Sequence, residues 1–242
     1  MAARRDYASR RLTTPLPPAL LAAVAAVPTG DLSDLLAQIA AEPRGIDGLA
    51  PLHARPAPRL LGRAVTIAFA EVGPGRSLED APYISSTVVA EAEPGDVIVL
   101  AAGAARRAFF GEHMARMAAA AGVAGIVVDG GIRDVDGIAA TGLPLFSRPP
   151  TPVAYLGSYE AVAVNEPVVV AGVTVEPGDL IAGDSDGLVA IPRASFGVIE
   201  LLTAELVRIE AWIESEVAAG ASPEDFYPEI ERRLRAVAAR AR

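Results

Sequence analysis

The 242-residue sequence contains no cysteine and no lysine, because all 21 of its basic residues are arginine. Schiff-base catalysis, attachment of pyridoxal phosphate and a phosphate-binding P-loop each need a lysine amine, so these chemistries are excluded as usually built. Absence of cysteine removes thiol nucleophiles, disulfides, iron–sulfur clusters and thiolate zinc sites. The two histidines, His53 and His113, are too few for a multi-histidine transition-metal site within one chain. Any metal would therefore be held by carboxylates and water, which points to hard Mg²⁺ or Mn²⁺. Aromatic residues make up only 5%. Abundant Ala, Val, Gly and Leu instead favour tightly packed helices on buried strands, an α/β class. The net charge of -9, with no basic stripe, argues against nucleic acid. No run reaches the roughly 18 uninterrupted apolar residues of a membrane span, and a soluble, cytoplasmic protein is expected. Neither a Gly-x-Ser-x-Gly elbow nor a dinucleotide-binding fingerprint is present, so no nucleotide cofactor is expected.

Read along its length, the chain looks like one domain over residues 1–242. A basic tail over 1–14 carries Arg4, Arg5, Arg10 and Arg11 ahead of an apolar stretch over 16–27. Asp6 and the Pro17-Pro18 pair favour an amphipathic helix opening after the prolines over a signal peptide. Thr29-Gly30-Asp31 reads as a helix stop and start, with Asp31 the N-cap of a helix over 32–41. Strands are expected at 62–69, 97–100, 124–128, 143–146, 162–164, 168–170 and 172–175, with helices at about 111–120 and after Asp134. Two identical Glu-Pro-Gly-Asp turns, at 93–96 and 176–179, each lead into a strand and read as independent turns. Asp184-Ser185-Asp186-Gly187 echoes the start of a calcium loop but lacks the closing Glu, and reads as a hairpin turn. Residues 194–242 form an amphipathic helical extension broken at Gly220. Glu91, Glu93 and Asp96 read as a solvated acidic cluster, and His113 as a helix-surface residue.

Two segments place polar residues in an apolar setting: Phe110-Gly111-Glu112-His113 and Val128-Asp129-Gly130-Gly131-Ile132-Arg133-Asp134. A helix of about 10 residues opening at Glu112 advances roughly 15 Å, and the following strand returns about 20 Å. The chain thus comes back to its starting end, with Glu112 beside Arg133 and Asp134 at the carboxyl end of a buried strand, where open α/β sheets bind ligands. Asp134 is suited to bind a divalent cation directly and Glu112 to hold one of its waters. Arg133 offers a planar fork for a carboxylate or α-keto acid. The Gly130-Gly131 pair would let backbone amides approach a bound anion. An Arg-Asp pair capping a helix after a glycine turn is an equally good reading of composition and spacing.

Glu112, followed after 20 residues by Arg133-Asp134, is similar to the acidic-x20-Arg-Asp signature of the 4-hydroxy-4-methyl-2-oxoglutarate aldolase and RraA-like family. Further similarity lies in the segment 125–134, in Pro144-Leu145-Phe146, in Pro177-Gly178-Asp179-Leu180-Ile181 and in Asp184-Ser185-Asp186-Gly187-Leu188-Val189, and it spans about residues 28–192. The resemblance implies a swivelling β/β/α-type fold with helical extensions at both ends, assembled as a homotrimer or a dimer of trimers with sites at subunit interfaces. It also implies a divalent-metal aldolase that cleaves 4-hydroxy-2-oxo diacids to pyruvate and decarboxylates oxaloacetate. In that scheme Asp134 is the direct metal ligand, Glu112 a water-mediated one and Arg133 the group that binds the pyruvoyl carboxylate. Backbone amides at Ala105, Arg106, Arg107 and Ala108 hold substrate, and Glu210 is the carboxylate given by a neighbouring subunit. Glu112 stands where many family enzymes carry Asp. The same family includes a non-catalytic alternative, a protein that binds and inhibits an RNA-degrading endonuclease.

Overall fold

The computed structural model describes residues 14–40, 42, 44–52, 56–72, 84–90 and 92–240. The basic tail up to residue 13, His53, Glu91 and the Gly73-Pro74-Gly75 loop lie outside the described residues.

Helix α1 (Pro18–Ala25) opens with Pro18 in its first turn, where the fixed φ suits a helix and the missing N–H is not needed. Helix α2 spans Thr29–Ile39, so the stop expected at Gly30 does not occur. The cap comes from far away in sequence. The Thr29 N–H and hydroxyl donate to the two carboxylate oxygens of Asp184, at 2.8 and 2.6 Å, which satisfies the free end of the helix well before Asp31 could.

The main sheet has a parallel centre of β3 (Leu60–Glu71), β4 (Asp96–Phe110), β5 (Gly125–Ile132) and β6 (Leu145–Ser147). Two-residue strands β1 (Gly45–Ile46) and β2 (Ala50–Pro51) close its edges. Helix α3 (Ile84–Ala90) lies between β3 and β4, α4 (Glu112–Ala120) between β4 and β5, and α5 (Val135–Ala139) between β5 and β6. Strand β3 pairs at one end with β10 (Leu180–Gly183) and at the other with β7 (Tyr159–Val164), both antiparallel. Strands β10 and β11 (Leu188–Ile191) form the hairpin expected around Asp184, and β8 (Val168–Val170) with β9 (Val173–Val175) forms a separate two-stranded ribbon.

Side chains on the central strands alternate between two cores, as the period of two requires. Val65, Ile67, Ile98, Leu100, Ile126 and Val128 face the layer of α3, α4 and α5. Ala64, Val97, Val99 and Val127 face the β8–β9 ribbon. A third core joins α1, α2, α6 (Phe196–Ala218) and α7 (Pro223–Arg240) to the β10–β11 hairpin. No single helix among the described residues is long and apolar enough to cross a membrane; α1 and α2 pass only as a pair bent by 117°.

The two Glu-Pro-Gly-Asp turns are built alike and feed β4 and β10, two of the three strands that pair with β3. Gly95 and Gly178 have φ of 85° and 90°, the left-handed value that position of a type II turn requires. In each, the Asp carboxylate accepts from the Glu N–H at 2.9 Å. Asp96 is therefore not a solvated charge: it is 3% exposed and pairs with Arg63 at 2.7 Å. Burial raises its carboxyl above the usual range despite the Glu93 amide and Arg63.

Candidate functional site

The apolar run of β5 is buried along its whole length, and the chain leaves it at Ile132 directly into Arg133 and Asp134. Arg133 donates its N–H to the Phe110 carbonyl at 3.0 Å, which ties the exit of β5 to the exit of β4 just before α4 begins. A side chain at Gly111 would approach Asp134 Oδ2 at 2.9 Å, and one at Gly137 would meet the Glu112 carboxyl at 2.5 Å. The start of α4 and the start of α5 thus interlock, which brings positions 112, 133 and 134 to one end of the sheet as the strand and helix lengths predict; of the three side chains, Arg133 and Asp134 line the pocket described below and Glu112 does not.

Asp134 sits at φ 58°, ψ 44°, the left-handed region that Asp tolerates better than most residues, and its side chain makes no cap hydrogen bond to α5. Its carboxylate is 3.6 Å from Arg133 Nε, and the Arg133 and Asp134 side chains are 50% and 45% exposed. An acidic group left open beside a strained backbone, at the end of a buried strand, is the pattern of a functional site. Glu112 is turned the other way along α4, accepting from Arg116 Nε at 2.9 Å.

Arg133 and Asp134 line a pocket of about 160 Å³ together with Gly111 and His113, and its remaining surface comes from Phe109, Phe110, Met114, Ala154, Tyr155 and Leu156 with Ser86 and Ala108. A larger groove of about 630 Å³ between α2 and α7 holds the Glu231–Arg235 ion pair and no convergence of donors, so the smaller pocket is the candidate site. Its polar wall includes the start of α4, whose first N–H groups have no partner within the helix and carry a partial positive charge. His113, read from the sequence as a helix-surface residue, lines the pocket with Gly111 and Met114, while Glu112 between them does not.

Two expectations change. Gly130 and Gly131 lie inside β5 and do not line the pocket; a side chain at Gly130 would meet the Phe109 ring at 2.7 Å and one at Gly131 would meet Thr151 Cγ2 at 2.6 Å. Their small size serves close packing, not the approach of an anion. Of Ala105, Arg106, Arg107 and Ala108, only Ala108 reaches the pocket, and its N–H donates to the Val153 carbonyl at 2.8 Å.

Glu210 is not brought to this pocket within its own chain. It lies exposed on α6, and partial burial of its carboxyl together with the facing Asp31 of α2 raises that carboxyl above the usual range. Asp129, five residues before Asp134, is buried, accepting from Arg148 Nε at 2.6 Å and from the Ala171 N–H at 3.0 Å. Asp184 is engaged within the chain: besides Thr29 it pairs with Arg59 at 2.8 Å.

A sequence profile of the RraA-like family, described as Aldolase/RraA, matches residues 29–190. A Thermus thermophilus protein named 4-hydroxy-4-methyl-2-oxoglutarate aldolase is 31% identical over 175 residues, covering 70% of this chain and 95% of that one. A protein of Halalkalibacterium halodurans provisionally named for the same activity is 41% identical over 126 residues, 50% of this chain, and the match spans 60% of that relative's length. Among solved structures, Streptomyces coelicolor RraAS2, described as an unusual member of the RNase ES inhibitor RraA protein family, superposes with a TM-score of 0.72 at 27% identity, covering 85% of this chain and 98% of that one. An uncharacterized protein from Pseudomonas syringae reaches a TM-score of 0.74 at 27% identity, over 88% of this chain and 98% of that one.

Proposed function

Because the chain belongs to the RraA-like, Aldolase/RraA family, we propose that it is a divalent-metal-dependent lyase. It would cleave 4-hydroxy-2-oxo acids, the class that contains 4-hydroxy-4-methyl-2-oxoglutarate, to pyruvate and a second carbonyl compound, and decarboxylate oxaloacetate. The observation that carries the reading is the pairing of an open Asp134 with an open Arg133 in one pocket at the start of α4.

The donors there suit Mg²⁺ or Mn²⁺. Asp134 lines the pocket, whereas Glu112 is paired with Arg116 and would have to turn toward it; both are hard oxygen ligands, and no group of three His, Asp or Glu stands ready among the described residues, so water and substrate oxygens would complete the shell such cations prefer. Asp134 would hold the metal directly and Glu112 through a water. When bound, the metal supplies Lewis acidity at the 2-oxo oxygen.

The chain's own groups do the rest. Arg133 grips the C1 carboxylate with its fork, and the α4 amides hold negative charge at the same wall. In retro-aldol cleavage the C4 hydroxyl loses its proton, C4 becomes a carbonyl, and the C3–C4 electron pair becomes the enolate of pyruvate, which water protonates at C3. Arg133 stabilises that enolate, and the sequence offers no lysine for the Schiff-base route. Loss of CO₂ from oxaloacetate passes through the same enolate. Glu210 would act on the site of a neighbouring copy in a trimer or hexamer, working in the cytoplasm.

A coupled pyruvate assay with oxaloacetate and 4-hydroxy-4-methyl-2-oxoglutarate, in Mg²⁺ or Mn²⁺ and then in chelator, tests the reading. Chelator-sensitive pyruvate is expected from at least one. Silence with both would remove the lyase reading and favour a binding protein of the kind RraAS2 is described to be related to.

A further inference from the structure

The pocket holds polar side chains beyond Arg133 and Asp134: His113 on α4, Ser86 on α3 and Tyr155. The Tyr155 hydroxyl is 3.3 Å from Ser85 Oγ, and its ring stacks on Phe109 with centroids 5.1 Å apart and 12° between planes. Ser86 is half-buried. His113 is exposed in the first turn of α4, where the helix end favours negative charge.

The backbone just ahead of His113 is held against the Arg133–Asp134 pair. A Cβ at Gly111 would lie 2.9 Å from Asp134 Oδ2 and 3.7 Å from Arg133 Nε, so the chain passes these groups with no room for a side chain. From Gly111 to His113 it then advances about 5.5 Å between Cα atoms. The two carboxylate carbons of a five-carbon 2-oxo diacid stand about 5 Å apart across four carbon–carbon bonds. The step along the helix and the length of such a diacid match.

We propose that His113 is the specificity-determining residue for the distal carboxylate of a 2-oxo diacid, to which its imidazole donates a hydrogen bond. This rests on the aldolase reading above, since it assigns Arg133 to the C1 carboxylate and Asp134 to the metal. In either neutral tautomer one ring nitrogen carries a hydrogen, so the imidazole donates to a carboxylate without a charge of its own. A hydrogen bond to an ionised acceptor is stronger than one between neutral groups. It also replaces part of the hydration that the carboxylate gives up on entering the pocket. The role is recognition, and the bonds that form and break in cleavage are unchanged.

The test uses the full chain loaded with Mn²⁺ and two acids without a C4 hydroxyl, which retro-aldol chemistry leaves intact. One is 2-oxoglutarate; the other is 5-methyl-2-oxohexanoate, in which an isopropyl group of similar shape replaces the distal carboxylate. Dissociation constants are measured by isothermal titration calorimetry for the unmodified chain, His113→Leu and His113→Gln, both at an exposed position. His113→Leu should weaken 2-oxoglutarate by about tenfold or more and 5-methyl-2-oxohexanoate by less than about threefold. His113→Gln, which keeps a neutral donor, should recover at least about threefold of the loss for 2-oxoglutarate. In parallel, release of pyruvate from 4-hydroxy-4-methyl-2-oxoglutarate and from oxaloacetate is followed with the unmodified chain. Equal losses for the two acids in His113→Leu, or no loss for either, overturn the assignment of His113, and pyruvate released by the unmodified chain then leaves the aldolase reading in place. No pyruvate from either substrate removes the aldolase reading, and the assignment falls with it.

Discussion

Strand β5 holds Asp129 within its length and delivers Asp134 just beyond its end, and the fold treats the two aspartates in opposite ways. Asp129 is 4% exposed in its side chain and fully engaged, with Arg148 on one oxygen and the Ala171 N–H on the other. Asp134 is 45% exposed, caps nothing and stands on a left-handed backbone. Buried polar groups need partners, so Asp129 is explained by the fold: it fastens the β8–β9 turn and the segment after β6 to β5. Asp134 has instead a long ion pair with the similarly exposed Arg133, at 3.6 Å. One motif thus supplies both the anchor of a site and its open group, and an aspartate that the fold leaves unused is the better candidate for chemistry.

That contrast can be broken at four points. Asp134→Asn keeps a residue that tolerates the left-handed backbone and removes the charge, so pyruvate release should fall by about a thousandfold or more, with the thermal midpoint unmoved. Retained activity would contradict the assignment. Asp129→Ala should do the reverse first: losing one partner of a buried pair costs about 3 kcal/mol, seen as a fall of roughly 6–12 °C in Tm by calorimetry. An unchanged Tm would mean that Asp129 is not an anchor. Arg133→Lys keeps charge without the fork, and a loss of about a hundredfold in kcat/KM is expected in the pyruvate assay with no change in stability.

The smallest effect concerns Glu210. Its carboxyl is raised in the folded chain, first by burial and then by Asp31. A carboxyl whose folded pKa lies above its unfolded one costs stability at pH values above that folded pKa, and the cost fades as pH falls below the unfolded value. Glu210→Gln should therefore stabilise the chain by no more than about 0.5 kcal/mol at pH 7, with the gain disappearing toward about pH 4 in pH-dependent urea melts. Asp184 runs the other way. Burial alone would raise it, but Thr29, the Asp186 amide and Arg59 together bring it below the usual range, so its contribution is present at neutral pH and lost in acid.

The parts of this molecule set by local pattern were legible in the sequence. The β-branched run of β5, the helix after Gly111 and the returning length of the strand are enough to bring positions 112, 133 and 134 to one end of the sheet, but not to show that the Glu112 side chain turns to Arg116 and stays out of the pocket. What depends on distant partners is not legible in that way. Helix α2 starts at Thr29 because Asp184, 155 residues away, caps it. Asp96 reads as solvated because its partner, Arg63, lies on the neighbouring strand. Strand β4 runs on to Phe110 through a bulge at Gly103 and Ala104, both at positive φ, beyond the strand expected over 97–100. The stacking of Tyr155 on Phe109, both of which line the pocket, was hidden for the same reason: Tyr155 comes from a Pro-rich segment with no periodicity of its own.

The central claim, that Asp134 holds a divalent cation at the exit of β5, is tested most directly by Mn²⁺ titration of the full chain in the presence of pyruvate, followed by electron paramagnetic resonance, for the natural sequence and for Asp134→Asn. The account predicts saturable Mn²⁺ binding by the natural sequence and at least about tenfold weaker binding by the variant. Equal affinity in the two proteins would contradict it.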